Sequence, residues 1–258
     1  MTYCLGLLMR EGLILAADSR TNAGMDYVSS YRKLFDFSVE GNRVLFLLTS
    51  GNLSVSQSVL NLLEQDLRLG ENEDSLHTLP TLFSICRYIG QKIRAVEERD
   101  RESLERDKID FRVSFIVGGQ LKGRAPALFL VYTQGNFIQA TEETPFLQIG
   151  ETKYGKPILD RAFNFETSLR QAAMCALLSM DSTMISNLSV GAPIDLIFYP
   201  RDSFKPTHRR LNENEPFWIE MRKAWQQSLQ SAFENLPELP DGPGISCSLV
   251  DQPNARRF

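Results

Sequence analysis

The order of strand-like and helix-like segments is the feature that most restricts how this chain can fold. Apolar strand-like runs come first and amphipathic helices follow them, and the same alternation repeats towards the C-terminus. The predicted segments are strands 3–9, 13–18, 33–39 and 44–49, helices 53–67 and 80–102, strands 111–118, 127–133, 137–140 and 146–149, helices 157–163 and 167–184, strand 194–199 and helix 216–236. Runs of strands that alternate with runs of helices favour a layered α+β fold over βαβ units. The pattern therefore predicts two antiparallel sheets between helical layers.

Length and composition set the expected domain organisation. A chain of 258 residues, 43% hydrophobic and 23% charged, has the composition of a soluble globular protein and the length of one large domain or two small ones. We predict one domain over 1–236, which includes the last helix. The remaining segment, 237–258, is rich in Pro and Gly and is predicted to be irregular.

Composition also argues against several classes of function. The net charge of −4 shows no basic excess that would indicate nucleic-acid binding, and no apolar run approaches the length of a membrane span. The N-terminus lacks the layout of a signal peptide. His77 and His208 are far in sequence from other metal-ligand residues, so we expect no metal site and no cofactor.

The cysteines indicate the redox environment of the chain. The four thiols are scattered, each in or near an apolar run, and no pair forms a CxxC motif; they are Cys4, Cys86, Cys175 and Cys247. This usage is typical of reduced, mostly buried thiols, so a cytoplasmic location is expected.

The first residues carry the main chemical signal. Thr2 directly follows the initiator Met1, and removal of a methionine before a small residue would give Thr2 a free α-amine beside its own hydroxyl. An α-amine titrates near roughly 7.7–8.0, so part of it is neutral at pH 7 and can accept a proton. A hydroxyl activated by an N-terminal amine is a recognised nucleophile. The plain alternative is that position 2 is often a small residue.

Three further residues have the chemistry that such a nucleophile needs. Asp18 ends the second strand of a predicted hairpin and would return beside Thr2, and Lys33 begins the next strand. A nearby cation favours the alkoxide, and a carboxylate can hold the cation in place. Gly51 lies at a strand-to-helix turn, where its N–H could meet an oxyanion. Each also has an ordinary structural explanation: a turn cap for Asp18, a surface position for Lys33 and a helix-start glycine for Gly51.

Longer motifs resemble a known family. They occur in order along nearly the whole chain, and they are Met1-Thr2-Tyr3-Cys4-Leu5-Gly6, Ala17-Asp18-Ser19-Arg20-Thr21-Asn22-Ala23-Gly24, Ser50-Gly51-Asn52-Leu53, Ile149-Gly150-Glu151-Thr152-Lys153-Tyr154-Gly155-Lys156-Pro157 and Ser186-Asn187-Leu188-Ser189-Val190-Gly191. The chain resembles proteasome-type N-terminal-nucleophile (Ntn) hydrolases, and within them the bacterial Anbu family, the ancestral β-subunit.

The resemblance implies a four-layer αββα sandwich and a threonine-type peptidase or amide hydrolase that needs no cofactor. In that family pattern Thr2 would be the nucleophile, Asp18 and Lys33 its supporting charge pair, and the Gly51 N–H the oxyanion donor. The substrate would be a peptide or another amide, cleaved through an acyl ester on Thr2.

Two positions depart from the wider proteasome pattern. Glu151 stands after Gly150 where the family has a serine, and Ser186 stands where it has an aspartate, whereas Ser189 is retained. Those family residues help to position the amine and a water molecule. The change puts efficient peptide cleavage in question, and Glu151 would either compensate for it or bias the choice of substrate.

The resemblance also implies assembly of identical subunits, in open helical arrays or rings. The last helix, which carries Trp218 and Trp225, is a candidate contact surface, although both aromatics could equally be core residues. A catalytically weak or inactive scaffold subunit is the alternative function. The intact set of Thr2, Asp18, Lys33 and Gly51 argues against that alternative.

Overall fold

The computed structural model describes residues 1–22, 28–68, 70 and 74–237. The chain forms two compact units, Met1–Ile219 and Glu220–Phe258. The predicted tail lies outside the described residues from position 238 on, as does Cys247. The predicted domain of 1–236 therefore stays a prediction.

The first unit contains two five-stranded antiparallel sheets. The first sheet has the order β10-β1-β2-β11-β12 and the second has the order β5-β6-β7-β8-β9. The strands of the first sheet are β1 (Tyr3–Met9), β2 (Gly12–Asp18), β10 (Phe146–Gly150), β11 (Ile194–Pro200) and β12 (Thr207–Leu211). Those of the second sheet are β5 (Leu34–Asp36), β6 (Arg43–Gly51), β7 (Val113–Leu121), β8 (Ala127–Val131) and β9 (Phe137–Gln139). A separate two-stranded ribbon joins β3 (Arg20–Asn22) and β4 (Val28–Ser30).

Helices cover both outer faces of the sandwich. The helices are α1 (Leu53–Arg68), α2 (Leu82–Arg106), α3 (Lys156–Ala162), α4 (Leu169–Ser186) and α5 (Pro216–Glu234). One apolar cluster joins α1 and α2 to the second sheet, and another fills the space between the two sheets. On the opposite side α4 packs on β1 and β2. The predicted four-layer αββα sandwich is confirmed.

The central strands are buried on both faces, which explains their continuous apolar sequences. Every residue of β1 and β2 is buried. Leu8 and Leu15 face the other sheet, whereas the Tyr3 hydroxyl, on the opposite face of β1, hydrogen-bonds Ser179 of α4. Side chains of a strand alternate between its two faces, so both layers of the core take apolar residues from the same strand.

The structure differs from the sequence prediction at four strands. The two strands of the ribbon, β3 (Arg20–Asn22) and β4 (Val28–Ser30), are not among the predicted segments. The strand predicted over 33–39 is shorter, so Lys33 lies just before β5 rather than within it. The edge strand Thr207–Leu211 was not predicted, because four of its five residues are exposed and it has no apolar alternation.

The last helix has both buried and exposed aromatic residues. Trp218 is 1% exposed, so core packing is the correct interpretation for this residue. Phe217 and Ile219 in the same turn are about half exposed. In the second unit, Leu229 and Phe233 of α5 are exposed. The contact surface on this helix stays a prediction, and Trp218 is too buried to be part of it.

Two predictions from composition have structural counterparts. Three cysteines, Cys4, Cys86 and Cys175, are free and buried, as expected. Among the described helices, none is long and apolar enough to cross a membrane.

The core between the sheets should be sensitive to the loss of Leu15. Its fully buried side chain packs against the bare backbone of Gly6 and Gly118, which leaves little room for neighbouring residues to fill a void. We expect Leu15→Ala to lower the free energy of unfolding by about 2–5 kcal/mol, measured by urea denaturation. Ile185→Ala, at an exposed position of α4, is the control and should change it by less than about 0.5 kcal/mol. Equal midpoints for the two variants would contradict this account of the core.

Candidate active site

Thr2 is held at one end of the first sheet by backbone bonds from two sides. In the strand registers Tyr3 lies opposite Gly150 on β10, and Ile194 of β11 lies opposite Asp18. The Tyr3 N–H donates to Asp18 Oδ1 at 2.9 Å, and the Glu151 N–H donates to the Thr2 carbonyl at 2.7 Å. The hairpin prediction is thereby confirmed: it returns Asp18 to the residue next to Thr2.

Gly150 is required where β10 passes the N-terminal residue. Its φ is +85°, and a Cβ at this position would lie 1.9 Å from the Thr2 carbonyl oxygen. Any side chain here would push Thr2 away from the end of the sheet, because that distance is far below van der Waals contact and the φ value also disfavours a Cβ.

Asp18 and Lys33 form a buried ion pair beneath Thr2. The Lys33 Nζ lies 2.8 Å from Asp18 Oδ1 and donates a second hydrogen bond to the Arg20 carbonyl at 2.6 Å. The Gly191 N–H donates to Asp18 Oδ2 at 3.3 Å. Burial raises the pKa of Asp18, and Lys33 together with the two backbone N–H groups opposes that rise. A buried charge is tolerated only with such partners.

Thr2 faces two connected cavities. A small one of about 40 Å³ has a lining that includes Thr2, Lys33, Thr49, Ser50 and Gly51. A larger cleft of about 1170 Å³ is lined by residues of the N-terminus, the β6 end, the β7 start and the loop after β10: Met1, Thr2, Ser50, Gly51, Asn52, Leu53, Ile109, Asp110, Arg112, Val113, Ser114, Gly150 and Glu151. Thr2 therefore lines the large cleft and also a small cavity that it shares with Lys33.

Gly51 lies beside Thr2 at the end of β6, as the sequence predicts. Its φ is +105°, and a Cβ would lie 2.2 Å from the Arg112 carbonyl on the paired strand. The residue lines both cavities and immediately precedes the Asn52 cap of α1, whose side chain accepts a hydrogen bond from the Ser54 N–H. The Gly51 backbone therefore lies at the same cavities as Thr2.

Glu151 lies in the wall of the cleft with a nearly buried side chain, 8% exposed. Its Oε2 accepts a hydrogen bond from Asn187 Nδ2 at 3.0 Å, and its Oε1 is 3.6 Å from Lys153 Nζ. Asn187 Oδ1 in turn accepts from the Ser189 N–H at 3.0 Å. The structure therefore joins two loops that are distant in sequence through one carboxylate–amide contact.

Ser189 and Ser186 lie further from Thr2. Ser189 is in the loop after α4 and is linked to Glu151 through Asn187, and it is not among the described residues that line the cleft. Ser186 is the last residue of α4 and is exposed. The sequence pattern did not identify Asn187 as a residue of this site. Its position between Ser186 and Ser189, with an amide side chain that can both donate and accept, was the signal that could have found it.

The N-terminal amine of the chain senses the charges of this site. Burial lowers the pKa of the Met1 ammonium, Lys33 lowers it further, and Asp18 and Glu151 act in the opposite direction. The Met1 side chain itself is 64% exposed. The Met1 amine is therefore shifted towards its neutral form.

Two buried residues fix the strand below the site. The Tyr3 hydroxyl lies 2.7 Å from Ser179 Oγ, which donates to the Gly155 carbonyl, and burial raises the pKa of Tyr3 to about 12. Cys4 is fully buried; its thiol donates to the Thr49 carbonyl at 3.6 Å, and burial raises its pKa.

No group of three His, Cys, Asp or Glu side chains in the described part of the chain is arranged to hold a metal ion.

The sandwich fold is that of the class of proteasome-like Ntn hydrolases. Anbu from Yersinia bercovieri is similar, with a TM-score of 0.87, 43% sequence identity and coverage of 93% of this chain and 99% of that chain. Anbu from Pseudomonas aeruginosa, in a helical assembly of the complex, gives a TM-score of 0.87 at 47% identity and covers 92% and 98% of the two chains. Anbu from Hyphomicrobium sp. strain MC1 gives 0.83 at 42% identity, over 93% and 100%.

The chain belongs to the Anbu (ancestral β-subunit) family. The family resemblance in the sequence is thereby confirmed. No protein-family model and no curated protein sequence matches the chain.

The ion pair predicts a strong dependence of stability on Lys33. Lys33→Ala would leave the Asp18 carboxylate buried without its cation, and removal of one partner of such a pair costs about 3–5 kcal/mol of unfolding free energy. Urea denaturation measures the effect. Lys156→Ala is the control, because it breaks an exposed i,i+4 pair with Asp160 and should change stability little. Similar losses in the two variants would show that the buried pair does not have this role.

Proposed function

We propose that the chain is a threonine-type amide hydrolase or peptidase that uses Thr2 as its nucleophile after Met1 has been removed. The observation that supports this most directly is the cavity shared by Thr2, Lys33 and Gly51, with Asp18 bonded to Lys33 beneath it. The exposed Met1 side chain is consistent with removal of that residue by a processing enzyme.

The first step would form an acyl ester. The neutral α-amine of Thr2, directly or through a water molecule, takes the proton of the Thr2 hydroxyl, and Lys33 stabilises the developing alkoxide. The hydroxyl oxygen attacks the amide carbonyl carbon, and the Gly51 N–H donates to the resulting oxyanion. The tetrahedral intermediate collapses when the amide nitrogen receives the proton and leaves as an amine.

The second step would hydrolyse the ester. Water enters the cleft and gives a proton to the same α-amine as it attacks the acyl carbon. The Thr2 oxygen then leaves and recovers its proton, and the carboxylic acid product departs. The lowered pKa expected of an amine in this position keeps more of it neutral near pH 7, which suits its role as the base in both steps.

The other residues of the proposed site lie in the loops that follow β10 and α4. Ser189 is proposed to help position the amine and the water from the loop that carries Asn187, and Glu151 acts from the cleft wall.

We further propose that the chain works in the cytoplasm as a homo-oligomer. The helical assembly of the Pseudomonas aeruginosa relative supports an open array, a type of assembly that heterologous contacts form when their rotation does not close.

Loss of the Thr2 hydroxyl should abolish both turnover and covalent modification. We expect Thr2→Ala to lower amide hydrolysis at least a thousandfold and to remove labelling by a β-lactone electrophile, measured by intact mass. Thr2→Ser keeps a hydroxyl and should keep the label. Thr141→Ala, on an exposed turn, is the control and should behave as the wild type.

Intact mass of the protein from its native cell tests the same proposal independently. The proposed function requires a chain that starts at Thr2. A retained Met1 would contradict it, because the amine would then be part of a peptide bond. Normal assembly without label or cleavage of any amide in a library would instead support the scaffold function.

Assembly should depend on the exposed apolar residues of α5. We expect the purified chain to sediment as a species larger than its 29.3 kDa monomer, and Phe233→Ser to shift it towards smaller species. Gln230→Ser changes an exposed polar residue of the same helix and is the control. Unchanged sedimentation of Phe233→Ser would place the contact elsewhere on the chain.

A further inference from the structure

Among the charged residues that line the cleft, Glu151 is buried whereas Asp110 and Arg112 are exposed, and the two proposed reaction steps do not use its carboxylate. It lies in the cleft wall with Thr2, and it is nearly buried although a glutamate at the surface would normally reach solvent. Burying a carboxylate is costly, so a retained one needs partners and commonly has a functional role.

The backbone places this carboxylate at a fixed position relative to the first residue of the mature chain. The Glu151 N–H donates to the Thr2 carbonyl at 2.7 Å, and Gly150 brings the two segments together without a side chain between them. The Tyr3 N–H is anchored on the other side by Asp18. Thr2 therefore has little freedom to move relative to Glu151.

Asn187 fixes the orientation of the side chain. Its Nδ2 donates to Glu151 Oε2 at 3.0 Å, and its own position is set by the end of α4 and by the Ser189 N–H. Lys153 lies 3.6 Å from the other oxygen but its side chain is largely exposed, so solvent weakens that pair. The Oε1 atom thus keeps lone-pair capacity for a further donor.

We propose that Glu151, oriented by Asn187, is the positioning residue for the N-terminal amine of Thr2. The carboxylate accepts a hydrogen bond from the amine, so that the nitrogen lone pair is directed towards the Thr2 hydroxyl or its bridging water. This role deepens the proposed function and rests on it. Glu151, together with Asn187, would act in place of the serine and the aspartate that the wider proteasome pattern has in these two loops.

The other charged residues around this end of the chain are Lys33 and Asp18, Lys153 beside Glu151, and Asp110 and Arg112 in the cleft lining. Lys33 and Asp18 form an ion pair with each other. In the chain that still carries Met1, Glu151 raises the pKa of the Met1 ammonium against burial and Lys33, and we expect the same direction for the Thr2 amine, since a carboxylate favours the ammonium form. Removal of its charge should therefore lower the pKa of the amine while it removes the orienting acceptor.

A direct experiment measures the amine without any need for turnover. The pH dependence of acetylation of the α-amine by acetic anhydride, read from the mass of the N-terminal peptide, gives the titration midpoint of the amine. We expect Glu151→Gln to move this midpoint to lower pH. The midpoint reports whether the Glu151 charge acts on the amine. Gln is isosteric and can still accept from Asn187, so a Glu151 that only joins the two loops would leave kcat of Glu151→Gln at the wild-type value.

Activity supplies the second readout. We expect Glu151→Gln to lower kcat about tenfold or more, with little change in KM, because the base loses its orientation and substrate binding does not change. The acidic limb of the kcat/KM profile should move to lower pH with the labelling midpoint. Glu151→Asp keeps the charge and should restore the midpoint with part of kcat, and Asn187→Ala should lower kcat without moving the midpoint.

Asp160→Asn is the matched control, because it removes an exposed carboxylate from α3, the next helix along the chain, outside the cleft. It should leave both the midpoint and kcat unchanged. An unmoved midpoint in Glu151→Gln would overturn the proposal, and so would a rise in KM for cationic substrates with kcat intact, which would assign Glu151 to substrate selection. A shifted midpoint in a chain without hydrolytic activity would retain amine positioning and reject the peptidase function.

Discussion

The buried carboxylate of Asp18 is the interaction on which the N-terminal site depends. It receives the Tyr3 N–H, the Lys33 ammonium and the Gly191 N–H, which belong to three segments far apart in sequence. Each of these donors must be present, because a charge with no exposed surface has no water to replace it. The same group therefore stabilises the fold locally and sets the electrostatics next to Thr2.

The register of the first sheet positions the other segments of the site relative to Asp18. The row that contains Gly150, Tyr3, Asp18 and Ile194 runs across the end of the first sheet, and the loops that follow β10 and precede β11 start from it. A slip of one residue in β1 would exchange the two faces of the strand. It would turn the Tyr3 hydroxyl from Ser179 towards the other sheet, into a layer filled by Leu13 and Leu15.

The sequence predicts the parts of the site that depend on hairpins and apolar runs. The hairpin that returns Asp18 and the glycine at the end of β6 follow from short-range patterns, and both lie beside Thr2. The contact between Glu151 and Asn187 joins positions 36 residues apart through packing of loops, which no local pattern encodes. The polar edge strand β12 is missed for a related reason: its pairing with β11 is tertiary, whereas its residues are mostly exposed.

The burial of Cys4 has a practical consequence for chemical biology. A thiol is normally the most reactive nucleophile that an electrophilic reagent meets, and this one lies two residues from the candidate nucleophile. Its complete burial, its bond to the Thr49 carbonyl and its raised pKa leave it largely as an unreactive thiol. A reagent that reaches the N-terminal segment of the folded protein is therefore kept from the Cys4 sulfur by burial, so a label found on this segment would report on its oxygen and nitrogen atoms.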